Sequence, residues 1–155
     1  MSISSKLQTI LDKNQVRYSR VSHVPTYGAQ FAAAVMHAPG KEVAKTVVLR
    51  SGKRRLLAVL PAPYHVDLQR LAAIVGGPVT VMEEKECDKL FPDCEHGAVP
   101  PFGELYGLPV YMDKALEEDL EILVNAGTRS DAIRMSSADF IRIVKPNVCS
   151  FATKS

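Results

Sequence analysis

The sequence has no tryptophan, only 6% aromatic residues and three cysteines. An odd cysteine count outside a secreted context argues against a disulfide framework. No apolar run reaches the roughly 18 residues that a membrane-spanning helix needs. The first residues, Met1 to Lys6, lack the basic and apolar segments of a signal peptide. These absences argue against a disulfide-rich secreted protein and a helical membrane protein, and they predict a cytoplasmic location.

Several catalytic and cofactor motifs are also missing. No Gly-rich phosphate loop follows a predicted strand, and no Gly-x-Ser-x-Gly nucleophile elbow occurs. Cys87, Cys94 and His96 match no common zinc spacing and lack an evident fourth ligand. We therefore expect no metal and no cofactor. Any hydrolysis should depend on positioning and electrostatics rather than on a covalent intermediate.

The net charge is only +2, but it is unevenly distributed along the chain. Residues 1–55 carry ten Lys or Arg and two acidic residues, a net charge of +8, whereas the rest of the chain has a net charge of −6. Such an asymmetry either reflects solvated charges without a partner or gives one basic surface that can face a polyanion.

The hydrophobic pattern predicts interspersed helices and strands. Capping residues favour helices after Ser4 or Ser5, after Asp67, and after Ser136 or Ser137. Two β-rich runs at 44–50 and 55–60 flank Ser51–Arg54, a plausible hairpin connection. Further strands are predicted at 17–21, 79–82, 108–112, 121–125 and 132–135, and further helices at 29–36 and 83–90.

Several of the predicted strands are joined by connections too short to hold a crossover helix. This spacing favours an α+β fold with a mixed, largely antiparallel β-sheet or barrel surrounded by helices. The length of 155 residues suits one domain with a sizeable core, so we expect residues 1–155 to form a single domain.

Three features could carry chemistry. Lys45 stands in an otherwise apolar run, where it either faces solvent or offers its ammonium to a phosphate or a developing oxyanion. The stretch Gly97–Gly103 has two prolines that fix φ and two glycines that permit unusual φ, so it forms a stiff loop. Such a loop either directs N–H groups at a ligand or is a structural turn. Asn125–Thr128 ends a hydrophobic strand with a small polar turn.

Taken together, three segments resemble the YbaK/prolyl-tRNA-synthetase-associated domain, an aminoacyl-tRNA editing family. The order and separation of the segments match too, so the resemblance covers nearly the whole chain. The short Gly-x-x-x-Pro element becomes fairly specific only in combination with the strand lysine and the Asn-Ala-Gly turn. The segments are Val43–Val48, Asp93–Gly103, and Asn125–Thr128 running on to Ile133–Ser136.

The resemblance implies an activity. Members of the family hydrolyse the ester that joins a non-cognate amino acid to the 3′-terminal adenosine of a tRNA, often a tRNA specific for proline. They occur as inserted domains of prolyl-tRNA synthetases and as free-standing proteins. We therefore expect a free-standing trans-editing deacylase acting on tRNA-Pro that carries a small non-cognate amino acid. Aminoacyl-tRNA is the expected partner, and an aminoacyl-tRNA synthetase is a candidate partner.

The resemblance also assigns residues. Lys45 would hold the terminal nucleotide, while the Gly97–Pro101 backbone would shape the amino-acid pocket and place the carbonyl and the water. Candidate catalytic residues are thus Lys45, Gly97 and Pro101. Candidate substrate-binding residues are Tyr18, Tyr27, Phe31, Ala98, Val99, Pro100, Phe102, Gly103, Asn125, Ala126, Gly127, Thr128 and Arg129. Candidate contacts to tRNA phosphates are Arg50, Lys53, Arg54 and Arg55.

Arg129 departs from the family pattern, because many relatives have a histidine there. An arginine is larger, always charged and unable to act as a base. It keeps open a second function, a non-catalytic module that binds tRNA or a nucleotide with the same fold. A thiol enzyme built on Cys94 and His96 is a third alternative.

Overall fold

A computed structural model of the chain describes residues 5–25, 34, 36, 39–95 and 97–154. These residues form four α-helices: α1 (Ser5–Lys13), α2 (Leu68–Val75), α3 (Glu84–Leu90) and α4 (Ser137–Val144). Their strands are β1 (Tyr18–Ser22), β2 (Ala44–Ser51), β3 (Arg54–Pro61), β4 (Tyr64–Val66), β5 (Thr80–Val81), β6 (Val110–Asp113), β7 (Glu121–Asn125), β8 (Asp131–Ser136), β9 (Asn147–Cys149) and β10 (Ala152–Lys154).

The strands form three sheets. The largest has the order β5-β2-β3-β6-β9, the second has the order β1-β8-β7, and β10 pairs with β4. Strand β3 pairs in parallel with β6, and β6 in parallel with β9, whereas the other strand pairs are antiparallel. The predicted α+β class with a mixed, largely antiparallel sheet is therefore confirmed. The sheets formed by the described strands are open and do not close into a barrel.

The β2–β3 hairpin forms the centre of the fold. Its register places Val48 opposite Leu57 and Leu49 opposite Leu56. Since successive side chains of a strand point to opposite faces, the hairpin contributes to two cores. One face packs in the main core with Phe91, Phe102, Met112 and Phe140. The other face packs in a second core that includes Leu71 of α2 and Phe151.

Helix boundaries follow the predicted capping signals. The Asp67 side chain accepts hydrogen bonds from the N–H groups of Gln69 and Arg70, both at 3.1 Å, at the start of α2. That helix ends at Gly76, which has a left-handed conformation with φ of 93°. The Ser136 hydroxyl accepts a hydrogen bond from the Asp139 N–H at 3.0 Å and caps α4 as predicted.

Three short strands are not predicted from the sequence: β4, β9 and β10. Their three-residue lengths give too little alternation to detect, and part of their stabilisation is tertiary. The buried carboxylate of Asp113 accepts hydrogen bonds from the Phe151 and Ala152 N–H groups, both at 2.9 Å, and so fixes the segment that leads into β10. The helix predicted at 29–36 falls mostly outside the described residues. None of the described helices has the length and apolar character to span a membrane.

Candidate active site

One cavity of about 350 Å³ brings the three predicted segments together. Its walls come from the first half of β2, helix α3, the loop that follows α3, and the turn between β7 and β8. A volume of this size can hold a small amino acid and part of a nucleoside. The predicted site residues that line it are Lys45, Gly97, Ala98, Val99, Asn125, Thr128 and Arg129.

The cavity lies along an open edge of β2. Strand β5 pairs only with Leu49 and Arg50, so the first half of β2 has no ladder partner on that side, among the described strands, apart from a bridge between Val43 and Leu123. Consecutive residues of β2 therefore line the cavity, although their side chains point to opposite faces of the sheet.

Thr46 is a site residue that the sequence analysis missed. It lies opposite Val59, so it faces the main core, and it lines the cavity. Its Oγ1 atom is buried and has no hydrogen-bond partner among the described residues. A threonine in a β-rich run is ordinarily a strand former, so no local signal distinguishes it. A buried hydroxyl without a partner is costly, and a ligand hydroxyl could satisfy it.

Lys45 lies opposite Leu60, which puts its side chain on the face of the second core. Its ammonium donates a hydrogen bond to the main-chain carbonyl of Tyr64 in β4. Burial lowers the pKa of Lys45 below its ordinary value. Among the described residues, no carboxylate pairs with it. The structure thus holds a partly desolvated ammonium beside the cavity.

The loop after α3 and the turn after β7 are joined by hydrogen bonds. The Glu95 N–H donates to the Gly127 carbonyl at 2.7 Å, and the Gly127 N–H donates to the Ala98 carbonyl at 2.9 Å. The Glu95 side chain also accepts a hydrogen bond from the Arg129 N–H at 2.7 Å. These bonds hold two walls of the cavity at a fixed separation.

Within the Gly-x-x-x-Pro loop, the residues divide between cavity and core. Gly97, with φ of 78°, Ala98 and Val99 line the cavity. Neither the Gly97 nor the Val99 N–H makes a hydrogen bond with another described residue. The other loop candidates, Pro100, Pro101, Phe102 and Gly103, are buried but do not line the cavity.

Gly103 has a packing role in this structure. A Cβ atom at this position would overlap the Leu108 carbonyl oxygen and lie 2.7 Å from the Val110 side chain. Phe102 packs edge-on against Phe140 with ring centroids 5.5 Å apart. These contacts anchor the end of the loop in the main core, and they explain why the sequence needs glycine and an aromatic residue there.

Asp131 is a second site residue that the sequence analysis missed. It is 6% exposed, lines the cavity and begins β8 directly opposite Ser22 of β1. One carboxylate oxygen accepts a hydrogen bond from the Ser22 hydroxyl at 3.1 Å, and the other accepts one from the Thr128 hydroxyl at 2.6 Å. An acidic residue at the start of a strand reads as a turn residue in sequence, so only the fold reveals its burial.

Cys94 lines the cavity, but its thiol is poorly suited to nucleophilic catalysis. Its Sγ atom lies 3.2 Å from the Tyr106 hydroxyl, and burial raises the pKa of Cys94 to about 11. A thiol with that pKa is almost wholly protonated at neutral pH. His96, its proposed partner, lies outside the described residues. Within the part of the chain that the structure describes, no group of three or more His, Cys, Asp or Glu could hold a metal ion.

The predicted phosphate contacts lie at the far end of the β2–β3 hairpin. Arg50 and Arg55 are directly opposite each other on the main-core face of the sheet, and Arg50 forms an ion pair of 2.9 Å with Glu86 of α3. Arg54 points to the other face, where its guanidinium lies 3.4 Å from the Val75 carbonyl. Lys53 is exposed in the turn.

The remaining substrate-binding candidates lie elsewhere. Tyr18 packs against the main core and its hydroxyl donates to Asp12 at 3.3 Å, away from the cavity. Ala126 and Gly127 are buried in the turn behind the cavity wall. Tyr27 and Phe31 fall outside the described residues.

The chain is similar in sequence and in fold to known proteins. The chain is 29% identical to the Multifunctional Ser/Thr-tRNA deacylase ProXp-y of Escherichia coli strain K12, over 92% of this chain and 97% of that protein. Its fold is similar to a crystal structure assigned as a candidate trans-editing enzyme for prolyl tRNA synthetase, with a TM-score of 0.83, 23% identity and coverage of 98% and 99%. It is also similar to the hypothetical protein APE2540, with a TM-score of 0.88, 16% identity and coverage of 96% and 100%.

The sequence profile of the aminoacyl-tRNA editing domain matches residues 23–143. That span includes all the described residues that line the cavity and most of the fold. The match confirms the family resemblance and, with it, the predicted class of activity, deacylation of aminoacyl-tRNA. The chain belongs to the aminoacyl-tRNA editing domain family.

Proposed function

We propose that this chain acts in trans on seryl- and threonyl-tRNA and hydrolyses the ester between amino acid and terminal adenosine. The observation that carries the proposal is the meeting of Lys45, the Gly97–Val99 backbone and the 125–129 turn around one cavity of about 350 Å³. The similarity to a Ser/Thr-tRNA deacylase over nearly the whole chain supports the choice of amino acids.

The Thr46 hydroxyl supports a hydroxylated amino acid. Its Oγ1 atom is buried in the cavity wall without a partner among the described residues, so a substrate hydroxyl would satisfy it while a methyl group would not. Sites that hydrogen-bond a substrate hydroxyl reject analogues that lack it, because their own polar groups are then left unpaired. On this basis seryl and threonyl esters are preferred to alanyl esters.

The reaction needs no protein nucleophile. A water molecule adds to the ester carbonyl, and the N–H groups of Gly97 and Val99 stabilise the oxyanion that forms. The bond between the carbonyl carbon and the ribose oxygen then breaks, and that oxygen takes the proton released by the water. The Lys45 ammonium contributes a positive charge that holds the terminal nucleotide against the cavity. Aminoacyl esters are activated, so positioning and electrostatics suffice.

Deacylation of a panel of mischarged tRNAs tests this function. We expect rapid hydrolysis of seryl- and threonyl-tRNA, slower hydrolysis of alanyl-tRNA, and loss of the difference in Thr46→Val, which is isosteric. No hydrolysis of any member at high enzyme concentration, with tRNA still bound, would instead establish a binding module.

The same panel decides the choice of tRNA. The sequence predicts tRNA-Pro, and pairing each amino acid with tRNA-Pro and with its cognate tRNA separates recognition of the ester from recognition of the tRNA. A synthetase that releases mischarged tRNA is a candidate partner. A tRNA substrate also favours the predicted cytoplasmic location.

A further inference from the structure

Asp131 is a buried carboxylate in the cavity wall that the proposed chemistry does not use. Its two hydrogen bonds come from neutral hydroxyls, those of Ser22 and Thr128. The Thr128 hydroxyl oxygen in turn accepts a hydrogen bond from the Ser130 N–H at 3.3 Å, which leaves its proton for Asp131. Neither of these two hydrogen bonds comes from a Lys or Arg side chain.

A buried carboxylate without a counter-ion is costly unless a cation reaches it. Hydroxyl donors stabilise the carboxylate but do not neutralise it. Each carboxylate oxygen has a further lone-pair site, so Asp131 can accept additional hydrogen bonds. Because the Asp131 carboxylate lines the cavity, a ligand in the cavity can supply the compensating cation.

The other charges of the cavity favour a cationic ligand group on this side. Four acidic residues line it, Glu84, Asp88, Glu95 and Asp131, against the cations Lys45 and Arg129. The Glu95 carboxylate already accepts a hydrogen bond from the Arg129 N–H. The hydrogen bonds described for the Asp131 carboxylate come from hydroxyls.

We infer that Asp131 binds the α-ammonium group of the aminoacyl ester and so makes the enzyme specific for substrates with a free amine. This inference rests on the proposed function, because it takes the aminoacyl end of the tRNA as the occupant of the cavity. An ammonium bound by Asp131, with the carbonyl at the Gly97–Val99 backbone, would fix two of the substituents of the α-carbon. The hydroxyl of the seryl or threonyl side chain then hydrogen-bonds to the Thr46 hydroxyl.

The first test is a binding measurement that does not require turnover. The probe is 3′-serylamino-3′-deoxyadenosine, in which an amide replaces the ester, together with its N-acetyl form. Wild-type protein should bind the free amine roughly ten- to a hundredfold more tightly than the N-acetyl form, the range expected for a charge-assisted hydrogen bond. In Asp131→Asn the two probes should bind alike. Equal binding of both by the wild type, or binding of neither, overturns the inference.

The second test uses the ratio of kcat/KM for seryl-tRNA and N-acetylseryl-tRNA. Asp131→Asn should lower kcat/KM for seryl-tRNA and leave kcat/KM for N-acetylseryl-tRNA within about twofold. If Asp131 had a purely structural role, the substitution would lower both values equally, and that result would overturn the inference. Failure of the wild type to hydrolyse seryl-tRNA would count against the proposed function, and the binding test would still decide the role of Asp131.

Two control variants separate charge from folding. Asp113→Asn changes another buried carboxylate, 4% exposed, which accepts backbone hydrogen bonds away from the cavity. It should lower the melting temperature and leave the discrimination between amine and N-acetyl probes unchanged. The variant Ser22→Ala removes one hydroxyl donor and keeps the carboxylate, so it should retain the discrimination even if it is less stable. Loss of discrimination in that variant would indicate that the hydroxyl, rather than the charge, selects the amine.

Discussion

The ammonium of Lys45 is hydrogen-bonded to the main-chain carbonyl of Tyr64. The bond links the strand that borders the cavity to β4, which lies on the side of the second core. Among the described residues, the charge is therefore held by a neutral acceptor rather than by a carboxylate, and a phosphate or carbonyl oxygen of the substrate can compete for it.

Lys45→Met should separate catalysis from folding. The change keeps most of the side-chain volume and removes the charge, so we expect kcat/KM for deacylation to fall roughly 100-fold. The free energy of unfolding should change by about 1 kcal/mol or less, because the lost hydrogen bond is offset by the removal of a desolvated ammonium. Single-turnover deacylation and urea unfolding measure the two effects. Lys114→Met, at an exposed lysine that does not line the cavity, is the matched control, and full activity in Lys45→Met would contradict the proposed role.

Cys94 should be dispensable and slow to react. Burial raises the pKa of its thiol from 9.0 to about 11, so alkylation by iodoacetamide in the folded protein should rise with pH toward a midpoint near 11. The same shift destabilises the folded state in alkali: the contribution is constant below pH 9.0 and is lost as pH rises through the folded pKa of about 11. Cys94→Ala should retain deacylase activity. Rapid labelling at neutral pH with loss of activity would support the thiol-enzyme alternative.

The two glycines of the Gly97–Gly103 loop should respond differently to alanine. Gly97 has φ of 78°, and no described atom lies within 4 Å of where an alanine Cβ atom would be, so Gly97→Ala should cost about 1 kcal/mol of stability and displace the N–H groups of the cavity wall. Gly103→Ala would force the Leu108 backbone away and should cost roughly 3 kcal/mol or more. Thermal unfolding and deacylation of both variants distinguish the site effect from the fold effect. A stable, active Gly103→Ala protein would contradict the packing role.

Arg55 and Arg54 form a matched pair for testing tRNA contact. They are neighbours in sequence, but Arg55 lies on the main-core face of the sheet, beside Arg50, whereas Arg54 lies against the end of α2. Arg55→Ala should lower the slope of log Kd against log salt by about 1, the amount expected for one lost phosphate contact. Arg54→Ala should leave the slope unchanged. Equal slopes for the wild type and both variants would indicate that tRNA binds to a surface other than the β2–β3 hairpin.

The sequence predicts the parts of the site whose local chemistry is unusual. A lysine in an apolar strand, a loop with two prolines and two glycines, and an Asn-Ala-Gly turn each stand out from their neighbours. Thr46 and Asp131 do not, because a threonine in a strand and an aspartate after a turn are ordinary residues. Their role depends on burial beside a cavity, which arises only when β1, β2 and β8 come together.

The same limit applies to the fold. The β2–β3 hairpin and the caps at Asp67 and Ser136 are encoded within a few residues, so the sequence predicts them. The ladder between β4 and β10 joins segments that lie far apart in sequence, pairing Val66 with Ala152, and it depends on Asp113, so no local pattern could indicate it.

The Asp113 carboxylate has an effect that reaches the Lys45 ammonium through β10 and β4. It accepts hydrogen bonds from Phe151, which precedes β10, and from Ala152, which begins it. Strand β10 places Lys154 opposite Tyr64, and the Tyr64 carbonyl positions the ammonium of Lys45. Strand β10 is thus linked through β4 to the Lys45 ammonium beside the cavity. A truncation or a fusion tag within the last strand would loosen that cation without altering any residue that touches substrate.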